Sequence, residues 1–166
     1  MGEAGEKRLL EAVLDSWNRN NAILVNLARL LPEGGLKVRA TESGPSVAQM
    51  FTHIHYVRLV FIEEDAPEFA RPLPTEEWDA VNDRGRIAEM LNESAKVVRE
   101  AVQSKLENGG EMQRHFDHPV LFLQHMIWHE GYHHGQIKLA LKLAGKPISN
   151  QAAGPGTWRV WMNKTK

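Results

Sequence analysis

The sequence predicts an all-α fold, a four-helix bundle forming one domain over residues 1–166. Apolar residues recur at intervals of three and four over four stretches of roughly 18 to 30 residues, the signature of amphipathic helices. Clusters of proline and glycine separate those stretches. A chain of 166 residues is also long enough to bury a core without disulfides or a structural metal, and no internal repeat or low-complexity tract is present.

Residues 4–31 read as the first helix, with Leu10, Val13, Leu14, Trp17, Leu24, Leu27 and Leu31 on one stripe. Asn20 and Asn21 interrupt that stripe and read as a solvated edge, the alternative being a polar group beside an internal site. Pro32 and Gly34-Gly35 stop the helix, and a loop, briefly extended over 37–41, leads to Pro45. Ser46 and Gln49 have capping-box spacing, so a second helix is expected over 47–64. On it Met50, His53, Val57, Val60 and Phe61 share a face, while His55 points about 200° from His53, beside Leu59 and Ile62.

Residues 65–74 carry Pro67, Pro72 and Pro74. Held extended at about 3.1 Å per residue, they can cross to the far end of a bundle and leave the second and third helices parallel, though nothing requires it. Thr75 is a suitable N-cap for a third helix, with Glu76 and Glu77 in its first turn. Trp78, Val81, Ile87, Ala88, Leu91, Ala95, Val98, Val102 and Leu106 form its apolar stripe, and Asn108-Gly109-Gly110 ends it. Asp117 or His118 caps a fourth helix with Pro119 in its first turn, closed by Gly145 and Pro147. The tail, 146–166, is expected to be irregular and to pack its Trp158 and Trp161 over a bundle end or against a second subunit.

Composition narrows the function. The chain has no cysteine, which excludes thiolate zinc sites and suits a reducing cytoplasm. The polar N-terminus gives no secretory signal, and apolar runs such as 57–62, broken by Arg58, are too short to span a membrane. Net charge is −1 with no basic block, so no nucleic-acid partner is expected. Eight histidines are the one compositional hint of chemistry.

Three of those, His125, His129 and His133, stand four residues apart in the fourth helix. Such neighbours lie about 40° and about 6 Å apart, so two imidazoles can grip one ion while three in a row, spanning about 12 Å, cannot. Their stripe continues through Leu121, Phe122, Gln136, Ile137, Ala140 and Ala144, so they lie on a face that otherwise reads as core. His129-Glu130-Gly131-Tyr132-His133 also matches the H-E-x-x-H zincin pattern. Residues 135–166 supply no Asp, Glu or His as a third ligand, which counts against a metalloprotease. The third ligand must come from another helix; His53 is the best placed, with His55 as the fallback for a rotated helix. Two plus one imidazoles leave an ion open to water or substrate, the pattern of catalytic sites, and suit Zn, Ni, Fe or Cu. His125 reads as a supporting or packing residue, and His115 and His118 as loop and cap. Glu130, about 100° off the stripe, reads as a surface or supporting carboxylate rather than a general base.

The run H-M-I-W-H-E-G-Y-H-H-G-Q-I followed by L-A-L-K-L-A-G resembles the last-helix signature of the DinB/YfiT-like family, and S-V-A-Q-M-F-T-H-I-H resembles its metal-binding second helix. Helix order and length match over nearly the whole chain, though only these two motifs are distinctive. The resemblance implies up-down-down-up topology and one divalent transition metal (Zn, Ni or Fe) on His53, His129 and His133. It implies a homodimer in many members and, in some, transfer of a low-molecular-weight thiol to an electrophile; many members have no known reaction. His134 departs from the family pattern, where an arginine often follows the second ligand.

The expected function is therefore metal-dependent chemistry on a small molecule, a thiol transferase or a hydrolase, with no assignable catalytic residue beyond the ligands. The alternatives are a non-catalytic metal-binding or stress-response bundle and, behind it, the zincin protease. Since imidazole must be neutral to ligate, metal affinity is expected to fall as pH drops through about 6.5.

Overall fold

The computed structural model describes residues 2–162. Four long helices dominate: α1 (Glu3–Leu30), α2 (Val47–Asp65), α3 (Arg84–Asn108) and α4 (Pro119–Leu143), followed by a single turn, α5 (Asn150–Ala153). Among the described residues no strand forms; the extension expected near 37–41 is one antiparallel bridge between Arg39 and Ser46.

The caps follow the local chemistry. Ser46 Oγ accepts from the Gln49 amide at 3.2 Å while Gln49 Oε1 accepts from the Ser46 amide at 2.9 Å, a reciprocal capping box. His118 caps α4 by accepting from the Val120 amide at 3.2 Å, with Pro119 next. Gly109 ends α3 with φ of 66°, a conformation that costs glycine nothing.

Cross-helix bonds fix the directions. Trp17 Nε1 donates to the Ala95 carbonyl at 2.9 Å, and Arg84 reaches the Leu31 carbonyl, so α1 and α3 are antiparallel. His55 meets Met90 and Arg58 meets Ser94, so α2 and α3 run parallel. His53 lies beside His133, and Phe61 beside His125, so α4 opposes α2. The order is up-down-down-up, as the family resemblance implied.

Thr75 does not begin the third helix. Asp83 caps α3 instead, accepting from the Arg86 amide at 2.7 Å, and residues 70–83 form a strap across α2. Glu77 and Trp78, expected in the first helical turns, are engaged with α2; those tertiary contacts override a marginal local preference. The core is two apolar clusters. One, nearer the end where α1 finishes, includes Leu27, Phe51, Ile54, Leu91 and Ile137. The other, around Trp17, Ile62, Val98, Phe122 and Met126, fills the opposite end.

The tail packs along α1 rather than across a bundle end. Asn26 Nδ2 donates to the Gly156 carbonyl at 3.0 Å, and Arg19 donates to that of Val160. A Cβ at Gly156 would stand 3.0 Å from that of Asn26, so a side chain there would make Asn26 give way by a few tenths of an ångström. Trp158 lies under the Lys138 ammonium at 5.7 Å. Residues 163–166 of the expected tail lie outside the described residues. No described helix is long and apolar enough to cross a membrane.

Candidate metal centre

The fold brings His53 of α2 against His129 and His133 of α4. His129 Nε2 lies 3.2 Å from His53 Nε2 and 3.1 Å from His133 Nε2, and the three ligand atoms fall within 4.8 Å of one another. Zn–N bonds of about 2.0–2.1 Å at tetrahedral angles put neighbouring nitrogens roughly 3.3 Å apart, so the spacing suits one ion. The outward nitrogens reinforce this. His53 Nδ1 lies 2.7 Å from Glu77 Oε1, and His133 Nδ1 lies 2.8 Å from Gln136 Oε1. Facing oxygen acceptors, both Nδ1 atoms carry the proton, which leaves both Nε2 lone pairs aimed into the cluster. Imidazole nitrogens gathered in this way could hold a metal ion.

Burial keeps these rings neutral. Desolvation first, then the neighbouring imidazoles led by His133, push His129 down to about 4. Desolvation likewise lowers His53 against the opposing pull of Glu77, and lowers His133 against the bond it donates to the Gln136 amide oxygen. Trp78 stacks on His53 with ring centres 4.0 Å apart and planes 5° apart, and Tyr132 stands edge-on to His133 at 5.3 Å. The two aromatic rings rim the cluster.

The remaining histidines stay apart. His55 is buried against α3, its Nδ1 donating to the Met90 carbonyl at 2.7 Å, so the fallback ligand is far from the triad's side of α2. His125 packs between Phe61 and Phe116, its Nδ1 buried without a partner. His115 pairs with Glu64 in the loop before α4, and His118 is the cap of that helix. His134 Nε2 is buried and unpartnered, and desolvation lowers its pKa.

Glu130 overturns the surface reading. Its side chain is 1% exposed and takes Arg58 in a two-pronged ion pair, Nε to Oε1 at 2.6 Å and Nη2 to Oε2 at 2.8 Å. Asn20 Nδ2 donates to the same carboxylate; Asn21 Oδ1 and the Leu91 carbonyl accept from Arg58 Nη1 at 3.0 and 2.7 Å. The Trp17 ring lies 4.8 Å from the guanidinium carbon. Asn20 and Asn21 are therefore buried members of a polar layer, not a solvated edge. The deep stripe of α4 runs Phe122, Met126, Glu130, His133, Ile137 and Leu141, while Leu121 is exposed and His129 only half-buried. With both oxygens held by Arg58 and Asn20, Glu130 lacks the freedom of a zincin general base.

Sequence reasoning passed over Arg58, Glu77 and Trp78 as site or core-polar residues. A signal existed for the first: Arg58 is the only Lys or Arg in α2, and Glu130 the only Asp or Glu in α4. Nothing in local pattern marked the other two, because the strap that delivers them reads as a helix start. Residues 3–152 match the family model described as the DinB family. No curated protein and no solved structure matches the chain.

Proposed function

Since this chain belongs to the DinB family, we propose that it is a metal-dependent enzyme acting on a small molecule, its ion held by His53, His129 and His133. The observation that carries the reading is the convergence of three imidazoles, with His129 Nε2 3.2 and 3.1 Å from those of His53 and His133 and all three ligand atoms within 4.8 Å of one another. Bound there, one divalent transition metal (Zn, Ni or Fe) would supply Lewis acidity, lowering the pKa of a water or thiol. The protein's own part is to fix the tautomers through Glu77 and Gln136, keep the rings neutral by burial, and rim the opening with Trp78 and Tyr132. A low-molecular-weight thiol attacking an electrophile is the reaction we favour, with hydrolysis second.

Trp128 and Tyr132 stack on α4 at 70% and 56% exposure, with Leu121, Leu139 and Leu143 also exposed along that helix. We propose pairing of two copies through this face, in the cytoplasm; sedimentation should give twice the monomer mass, and Trp128→Glu should halve it. The test of the activity is incubation of metal-loaded protein with thiols and model electrophiles. Turnover that vanishes in His129→Ala supports the proposal, and turnover no higher than that variant's defeats it.

A specific observation favours a second reading, a non-catalytic metal-binding bundle. The one carboxylate of α4 is held by Arg58, so that helix offers no free carboxylate as a general base. Metal bound at one ion per chain with no turnover on any thiol or ester would select it.

A further inference from the structure

The strap of residues 70–83 holds no helix of its own, yet three consecutive residues of it are clamped one by one to a single face of α2. His53 Nδ1 bonds Glu77 Oε1 at 2.7 Å, Gln49 Nε2 donates to the Trp78 carbonyl at 2.9 Å, and Thr52 Oγ1 donates to the Asp79 carbonyl at 2.7 Å. Positions 49, 52 and 53 are the i, i+3, i+4 set that shares one helix face. Beside these clamps the strap stands off α3, bordering a cleft of about 640 Å³ lined by His55, Pro72, Pro74, Val81 and Met90. Its docking therefore leans on the clamps more than on packing.

His53 sits at the centre of them. One face of its ring is covered by Trp78, and its Nδ1 is held by Glu77, so the strap fixes both the plane of the ring and its tautomer. The geometry points to Glu77 as a positioning residue of the metal centre, and to the strap as a segment whose docking and metal binding are one linked equilibrium. With Glu77 in place, His53 presents its Nε2 lone pair to the ion; without it, the ring is free to change tautomer or swing out. Linkage is reciprocal: whatever docked strap adds to metal affinity, bound metal adds to strap docking. The inference rests on the three-histidine reading and goes beyond it, since neither the H-E-x-x-H run nor the second-helix motif contains a residue of the strap.

Zinc is the probe, measured on the full chain by competition with a chromophoric chelator, alongside chymotryptic cleavage after Trp78, which is 36% exposed. Removing a supporting partner of this kind costs about 10- to 100-fold in metal affinity, the loss expected for Glu77→Ala. Glu77→Gln, which keeps a neutral acceptor, should fall between that variant and the wild type. Zinc should slow cleavage at Trp78 in the wild type and leave it unchanged in Glu77→Ala. Thr52→Val, which removes a clamp without touching the histidine, should weaken zinc binding in the same direction. Wild-type zinc affinity in Glu77→Ala, or wild-type cleavage indifferent to zinc, overturns the inference. His129→Ala separates the two levels: if it binds zinc as the wild type does, the metal centre itself is refuted and this inference with it. If it does not, while Glu77→Ala binds normally, only the strap's role is lost.

Discussion

Helices α2 and α4 carry two polar clusters within two turns of each other, and the two are resolved in opposite ways. Arg58 and Glu130 form a layer in which charge meets charge and the surrounding donors and acceptors are filled by Asn20, Asn21, Ser94 and a backbone carbonyl. His53, His129 and His133 aim nitrogens at one another, and His129 Nδ1 is buried with no partner at all. The first cluster is complete from the protein's own atoms; the second is not. A cluster closed by its own side chains serves the fold, whereas one left with convergent imidazole nitrogens could hold a metal ion.

Breaking the closed cluster should have the largest effect. Glu130→Gln keeps the shape and removes the charge, leaving a buried guanidinium uncompensated. We expect a loss of about 3 kcal/mol or more of unfolding free energy, or roughly 6–12 °C in Tm for a domain of this size. The double variant Arg58→Leu/Glu130→Leu should cost less than the sum of the two single changes, because the lone charge is then gone. Urea titration of the wild type, Glu130→Gln, the two single leucine variants and the double variant measures both outcomes; additive losses would show that the pair is not coupled.

Opening the other cluster should leave the metal-free fold nearly intact. His129→Ala removes a half-buried ring with an unsatisfied nitrogen, so its metal-free stability should lie within about 1 kcal/mol of wild type. What it should lose is stabilisation by metal. Zinc at a hundred times its Kd adds about 2.7 kcal/mol to a protein that binds it only when folded. Thermal melts with and without zinc should show that shift in the wild type and none in the variant.

The same contrast explains what the sequence made legible. Helices α1, α2 and α4 announced themselves because stripe, cap and stop agree, as at Ser46-Gln49 and His118-Pro119. The triad was readable because i, i+4 spacing is a local property of one helix, and His53, unlike His55, stood on the inward face of the second. Glu130 misled because periodicity assigns every carboxylate to water, and only its pairing with Arg58, 72 positions away, makes burial affordable. Thr75 misled in the opposite direction: it is a sound cap locally, but Glu77 and Trp78 gain more from His53 than from a further helical turn. Non-local partners decide both cases, and no window along the chain contains them.

The gentlest way to separate the two clusters is pH. An ordinary imidazole would begin to lose metal as pH falls through about 6.5. Burial and the neighbouring rings hold His129 near 4 in the folded chain, with His53 and His133 lowered as well. Between those limits the unfolded chain binds more protons than the folded one, so stability of the metal-free protein rises with pH across the window. It should therefore decline as pH drops from about 6.5 towards 4, and His129→Ala should flatten that decline. Metal affinity of the folded protein should follow the lowered values, its fall displaced below 6.5. Zinc competition titrations at successive pH values test this directly. A fall centred on 6.5 would mean that the rings are solvated as in a free peptide, and that the cluster is as open to water as the ion pair beside it is closed.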